Sequence, residues 1–593
     1  MKQILREYLA QLKEREELDA ILPDLLSELG FHVYSRPQRG TTQHGVDIAA
    51  VGKDPDDGLL KLYLFSVKRG DLGRQDWDQG DQALRPSLNQ IRDAYIPTKI
   101  PRKYAGLPIV ICLVFGGVLR EQIQLEVRNY ISQNTTTSVS YEEWDGDKLA
   151  GLVLDGLLRE RVLPAPLQTS FRKAIALVDE PDVSYRHFAA LVRQMRATGL
   201  ATSGSRIVAA RQLSICCWIM FVWGRSSGNI EAAYRGVELA LLHVWDIIKP
   251  SLGKRSAEAK ALSQVLSQLV GLHLSVAGEL IDSRVTPLAD RRDALATAVG
   301  GTGLDINLAL FDLLGRIAMA GHWMVWLAER NGIGEQQARE TVDHYISVGL
   351  NMIDNNTNLS LPITDGQATD VALFFLLWAK GSPARADIRP WMRAMVRRYR
   401  HTIGLQRHYP TCKSSYRELL AHPVDRTPAY FQEATAASTL IPLLLAWSGA
   451  MQETALVNEL TELVRLKLPH CTLQLWTVDD GSDAHLWIND ENHGRAIMDL
   501  PADDPAELVA TLQEVAELYG DLAKLSAVTA GWWPVVLTAC RHWRLPVPTE
   551  FYSPILSAAF TSEGQAEPET DNPDHSPSSE TTEPGAEEDR ACD

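Results

Sequence analysis

The chain has 593 residues and a formal net charge of -17, a length that calls for two or more domains. Residues 562–593 hold eleven Asp and Glu against one Arg, about -10 of that charge, so the remainder near -7 neither demands nor forbids a nucleic-acid partner. The seven cysteines are scattered, with no CxxC pair and no Cys/His cluster at zinc spacing, which argues against a disulfide scaffold or a structural zinc site.

The opening segment, MKQILREYLAQLKEREELD, is charged throughout and does not read as a signal peptide. LDAILPDLLSELGF carries apolar residues at 18, 21, 22, 25, 26 and 29, a helical stripe closed by Gly30. HVYS reads as a short strand. RPQRGTTQHG is a loop, VDIAAVG a strand, DPDDG a turn and LLKLYLFSVK the next strand. SLNQIRDAYI has helical spacing behind Pro86. LPIVICLVFGG is a buried strand, REQIQLEVRNYISQ an amphipathic helix, TSVSYEEW a last strand and GDKLAGLVLDGLL a last helix. The order α-β-β-β-α-β-α-β-α over residues 1–164 predicts an α/β domain, a mixed sheet flanked by helices.

Residues 165–561 read as mainly helical, with apolar residues at helical intervals and no fixed repeat. Alternation around a DDGSD turn suggests a small β insert near 468–501. Residues 562–593 have almost no large apolar side chains, the composition of a disordered acidic tail. The apolar runs near Ser214–Trp223 and Thr439–Trp447 are too short to span a bilayer. The expectation is a cytoplasmic protein without a membrane partner.

Chemistry concentrates in the first domain. Asp47 sits in a strand pattern at GVDIAA, and Lys68 ends the following strand at FSVKRG. Phosphodiester hydrolysis needs divalent ions held by carboxylate oxygens and a cation to steer the attacking water. Adjacent strands can present such groups together because side chains repeat every second residue.

Over residues 15–160 this arrangement resembles the PD-(D/E)xK nuclease superfamily, most closely its Mrr-like restriction endonuclease branch. LDAILPDLLSELGFHV, GVDIAAVG, LYLFSVKRG and VSYEEWDGDKLAGLVL look like that branch's first helix and strand, Gly-Val-Asp strand, Gln-x-Lys strand and closing strand and helix. The resemblance implies a restriction-endonuclease-like domain in which Asp47 is a metal ligand and Lys68 the water-activating cation. The first-helix acid falls at Asp19, with Glu16 and Glu17 as neighbours. Ser66 stands where the superfamily has Asp, Glu or Gln, completing the catalytic set Asp47, Ser66 and Lys68. Some restriction enzymes of the superfamily with Ser-x-Lys carry the missing carboxylate on a helix about thirteen residues after the lysine. Asp81 lies thirteen after Lys68, with Asp78 as a second choice.

The implied activity is a metal-dependent endodeoxyribonuclease using Mg²⁺ or Mn²⁺, in bacterial restriction or antiviral defence. The alternative is a nuclease fold that binds nucleic acid without cutting it, with the helical domain making protein contacts or self-associating. From Lys61 to Lys103 there are nine basic and five acidic residues, a surplus suited to DNA phosphates. Arg36 and Arg39 in the loop before Asp47, with Arg69 and Arg74 after Lys68, are the candidate DNA contacts. A second basic stretch, WMRAMVRRYRHTIGLQRHYPTC at 391–412, reads either as an element that binds nucleic acid or an anionic ligand, or as a surface helix facing acidic neighbours.

Overall fold

The computed structural model describes Arg6, Leu9 and residues 18–36, 44–54, 57–79, 83–157, 165–330, 332–490, 493–498, 500–518 and 521–563. Most of the acidic segment 562–593, together with Arg39 and Asp81, lies outside the described residues.

The first region is a five-stranded mixed sheet. Its strands are β1 (His32–Ser35), β2 (Ile48–Lys53), β3 (Leu60–Lys68), β4 (Ile109–Phe115) and β5 (Val139–Trp144), in that spatial order. β1, β2 and β3 pair antiparallel, whereas β3, β4 and β5 run parallel. The parallel strands explain the unbroken apolar runs LKLYLFSVK and IVICLVF, because both faces are covered.

One face, carrying Tyr63, Phe65, Val67, Cys112 and Val114, packs with helix α1 (Asp19–Glu28). The other face, carrying Leu62, Leu64, Leu113 and Phe115, lies under Trp77 of α2 (Arg74–Asp78), Leu84 and Leu88 of α3 (Leu84–Gln90), and Ile123 and Val127 of α4 (Glu121–Asn134). Helix α5 (Gly146–Leu157) closes the domain beside α1. The segment after Lys68 holds the five-residue α2. Pro86 lies in the first turn of α3, where its missing N–H is not needed.

The second region is mainly helical. Its principal helices are α6 (Ala165–Ala176), α7 (Pro181–Ala201), α8 (Ser203–Ser226), α9 (Glu231–Ile248), α10 (Ala257–Leu280), α11 (Gly303–Glu329), α12 (Glu335–Asn355), α13 (Ala368–Lys380), α14 (Arg389–Leu405), α15 (Leu440–Ala450) and α16 (Pro534–Trp543). Within 468–501, strand Leu475–Thr477 pairs antiparallel with Arg495–Ile497. The core of the sheet's α1 face runs without interruption into the helical core.

Two helices pass through a π turn just before a proline. Ile91–Tyr95 precedes Pro97, and Ile281–Val285 precedes Pro287. Widening by one residue accommodates the ring and the absent donor. Three helical stretches, Ser205–Ser226, Ala257–Ala289 and Gly303–Glu329, are long and apolar enough by composition to cross a membrane. In the fold, 78%, 50% and 67% of their most apolar windows are buried, as expected of helices inside a bundle.

Candidate functional site

The site lies where β2 begins and β3 ends. Gly45 and His44 both have positive φ, 79° and 49°. A Cβ on Gly45 would stand 2.2 Å from the Ser87 carbonyl oxygen of α3, so a side chain there would push the loop away from the helix. This close approach fixes where the chain enters β2, and with it Asp47.

The regular β2/β3 ladder ends at Ile48 opposite Phe65. One residue earlier, the Asp47 N–H still donates to the Phe65 carbonyl at 2.9 Å. The Asp47 carboxylate then replaces the strand: its Oδ2 accepts the Val67 N–H at 2.8 Å. That amide lies between Ser66 and Lys68, so the carboxylate is held beside the Ser-x-Lys segment. An ionised carboxylate offers about four lone-pair directions, so one bond to Val67 leaves capacity for further partners.

Ser66 and Lys68 are 1% and 8% exposed. They alternate onto the α2/α3 side of the sheet, opposite the face that packs on α1. Lys68 pairs with Phe115 at the carboxyl end of the parallel strands. The strand exits are stitched together here: the Gly117 N–H donates to the Gly70 carbonyl at 2.8 Å, and the Gly146 N–H to the Gly117 carbonyl at 2.8 Å. Open α/β sheets commonly bind ligands at this end of their strands.

The other sequence candidates fall as follows. Asp19 opens α1, on the opposite face of the sheet from Ser66 and Lys68. Asp78 closes α2 and pairs with Arg85 at 3.1 Å on the surface. Arg69 and Arg74 are exposed near the carboxyl end of β3. Arg36 is 3.3 Å from Asp24 of α1, so its guanidinium is anchored to that helix.

Asp24 was not singled out by the sequence pattern, although an acid inside an apolar stripe is a usable signal. It is 3% exposed. Burial raises its pKa, against the pull of Arg36 and of Arg211 on α8. With its amide turned to suit both neighbours, Gln268 of α10 donates to Asp24 at 2.7 Å and accepts from Arg36 at 2.9 Å. The helical region therefore reaches the segment leading to Asp47 through a polar cluster. Glu143 is a second residue the pattern missed. The ladders align it with Leu113 and Ser66, two strand spacings or about 10 Å from Ser66, and burial raises its pKa.

The donor chemistry can be compared with that of a divalent-ion site. Mg²⁺ commonly takes one or two carboxylates together with water and substrate phosphate. Asp47 supplies one carboxylate and Ser66 a neutral hydroxyl. Among the described residues, no three His, Cys, Asp or Glu side chains gather closely enough to hold a metal. The described side chains alone thus fall short of such a donor set. The chain matches no family model, no curated protein and no solved structure.

Proposed function

We propose that the N-terminal domain is a metal-dependent DNA endonuclease of the PD-(D/E)xK type, Mrr-like in its arrangement, working in the cytoplasm in restriction or antiviral defence. The observation that supports this best is the Asp47 carboxylate held on the Val67 N–H, between Ser66 and Lys68. Asp47 would hold Mg²⁺ or Mn²⁺, with Asp81 as the candidate second carboxylate. The ion, when bound, supplies positive charge to the phosphate. Lys68 adds a fixed cation at the strand end, and Arg69 and Arg74 offer surface cations for DNA phosphates. The helical region is the candidate surface for a protein partner or self-association.

The test is cleavage of supercoiled, linear and single-stranded DNA with Mg²⁺ or Mn²⁺, comparing wild type with Lys68→Met and Asp47→Asn. Both substitutions should remove cleavage while leaving the melting temperature near wild type. Wild-type protein that leaves every DNA form intact with both metals would sink the proposal.

A second reading, DNA binding without cleavage, is favoured by the buried neutral Ser66 and the missing third donor among the described residues. It predicts salt-sensitive DNA binding that Asp47→Asn leaves unchanged, and no calorimetric signal with Mn²⁺.

A further inference from the structure

A second site lies in the helical region, where the basic stretch at 391–412 meets the start of α11. The cavity there has a volume of about 600 Å³. This is within the range of small-molecule sites. Its walls come from the first turn of α11, the segment 357–363, the end of α14 with the chain that follows it, and residues 419–423.

The charge of this cavity is one-sided. Arg398, His401, Arg407 and His408 line it, and none of its described lining residues is Asp or Glu, in a chain whose net charge is -17. Of the five arginines of α14, Arg397 is exposed and outside the cavity lining, and the other four fall into two groups. Arg389, Arg393 and Arg400 pair with Asp387, Glu453 and Glu462, as expected of a surface helix facing acids. Arg398 is exposed and points into the cavity lining with no acidic partner among the described residues. Arg407 donates its Nε–H to His408 Nε2 at 3.3 Å and has no acidic partner among the described residues.

The backbone supports this placement. Gln406 and His408 flank Arg407 with φ of 48° and 55°, a left-handed conformation costly for side-chain-bearing residues. Leu405 and Leu420 are 57% and 48% exposed and both line the cavity, adding apolar surface to it. Thr357, Asn358 and Ser360 add neutral hydrogen-bonding groups along one side.

We infer that this cavity binds a phosphorylated small molecule with an apolar moiety, of the nucleotide class. Phosphate oxygens would meet Arg398, Arg407 and the histidines, and a base would lie against Leu405 and Leu420. The cations converge on one concavity and do not run along a stripe, which suits a compact anion better than a polymer backbone. The inference stands independently of the nuclease reading.

The test is isothermal titration calorimetry of the full chain with ATP, GTP, CTP and UTP, with adenosine and inorganic phosphate as the separate halves. At least one nucleoside triphosphate should bind, more tightly than either half and more weakly at high salt. Arg398→Glu and Arg407→Glu should each weaken it by about tenfold or more, and Leu420→Asp should weaken the nucleotide but not inorganic phosphate. All three residues are exposed, and circular dichroism melts check that the variants fold. Absence of binding by all four triphosphates, phosphate binding as tight as nucleotide binding, or affinity unchanged in both charge reversals overturns the inference. DNA cleavage is not read in any arm, so failure here and failure of the nuclease proposal are separable.

Discussion

Asp47 and Val67 are joined by a hydrogen bond of 2.8 Å from the Val67 amide to the Asp47 carboxylate, one residue beyond the last β2/β3 pair. The side chain completes a sheet that the backbone has stopped pairing. Asp47 therefore has a structural task as well as the proposed chemical one. Asp47→Ala should cost about 1–3 kcal/mol by leaving the Val67 amide without its acceptor. Asp47→Asn keeps an acceptor oxygen and should cost much less. Urea unfolding of the two variants separates the roles: cleavage lost equally in both, with stability lost mainly in the alanine variant.

Ser66 is buried where the resemblance expects an acid. Ser66→Asp places a second carboxylate beside Asp47, in surroundings that disfavour an uncompensated charge. Its melting temperature in EDTA should fall by about 1–2 °C, a destabilisation of about 1–2 kcal/mol on a chain of this length. Added Mn²⁺ should raise it again in a concentration-dependent way. A variant whose melting temperature ignores Mn²⁺ would show that the two side chains do not converge.

The Asp24, Arg36 and Gln268 cluster links the helical region to the segment before Asp47. Arg36→Ala leaves the nearly buried Asp24 with less counter-charge and should destabilise the fold by about 3 kcal/mol. Asp24→Asn in the same chain should recover most of that loss, because the buried charge is gone. The check is a double-mutant cycle by denaturant unfolding, with strong coupling expected between the two sites.

Buried histidines make stability depend on pH. Burial lowers His243 to about 3, His273 to about 4 and His322 to about 3. Their folded pKa values lie below the unfolded one, so stability is fully present above about pH 6.5 and falls as the solution is acidified. Each contributes a slope of about 1.4 kcal/mol per pH unit below that point. Asp370 acts with the opposite sign. Burial pushes it up to about 6, against Arg544, so its contribution is greatest at low pH and is lost as pH rises through 6. The melting temperature should climb between pH 4 and 6.5, and Asp370→Asn should steepen that climb.

Asp370 also sets a packing constraint. A Cβ on Gly315 of α11 would fall 2.0 Å from Asp370 Oδ1. Gly315→Ala should therefore destabilise by about 1–3 kcal/mol, even though alanine favours helices. Pairing it with a smaller residue in Asp370→Ser should relieve the clash, as thermal unfolding of the double variant would show.

The order of helices and strands in the first region was legible from the sequence, because alternation and helical spacing report local periodicity directly. So was the helical character of the second region. The placement of Lys68 at a strand end followed from the apolar run before it. What local pattern cannot hold is which face or neighbour a residue receives. Asp19 and Lys68 look equivalent as polar residues flanking apolar runs, yet tertiary packing put α1 and the Lys68 side chain on opposite faces of the sheet. Arg36, read as a free loop cation, was committed to Asp24 by a helix 12 positions earlier in the chain. The basic stretch at 391–412 showed its charge in the sequence. Only the fold set Arg393 and Arg400 against acids and placed Arg398 and Arg407 on a cavity, because that division depends on Glu453, Glu462 and the start of α11, all distant in sequence.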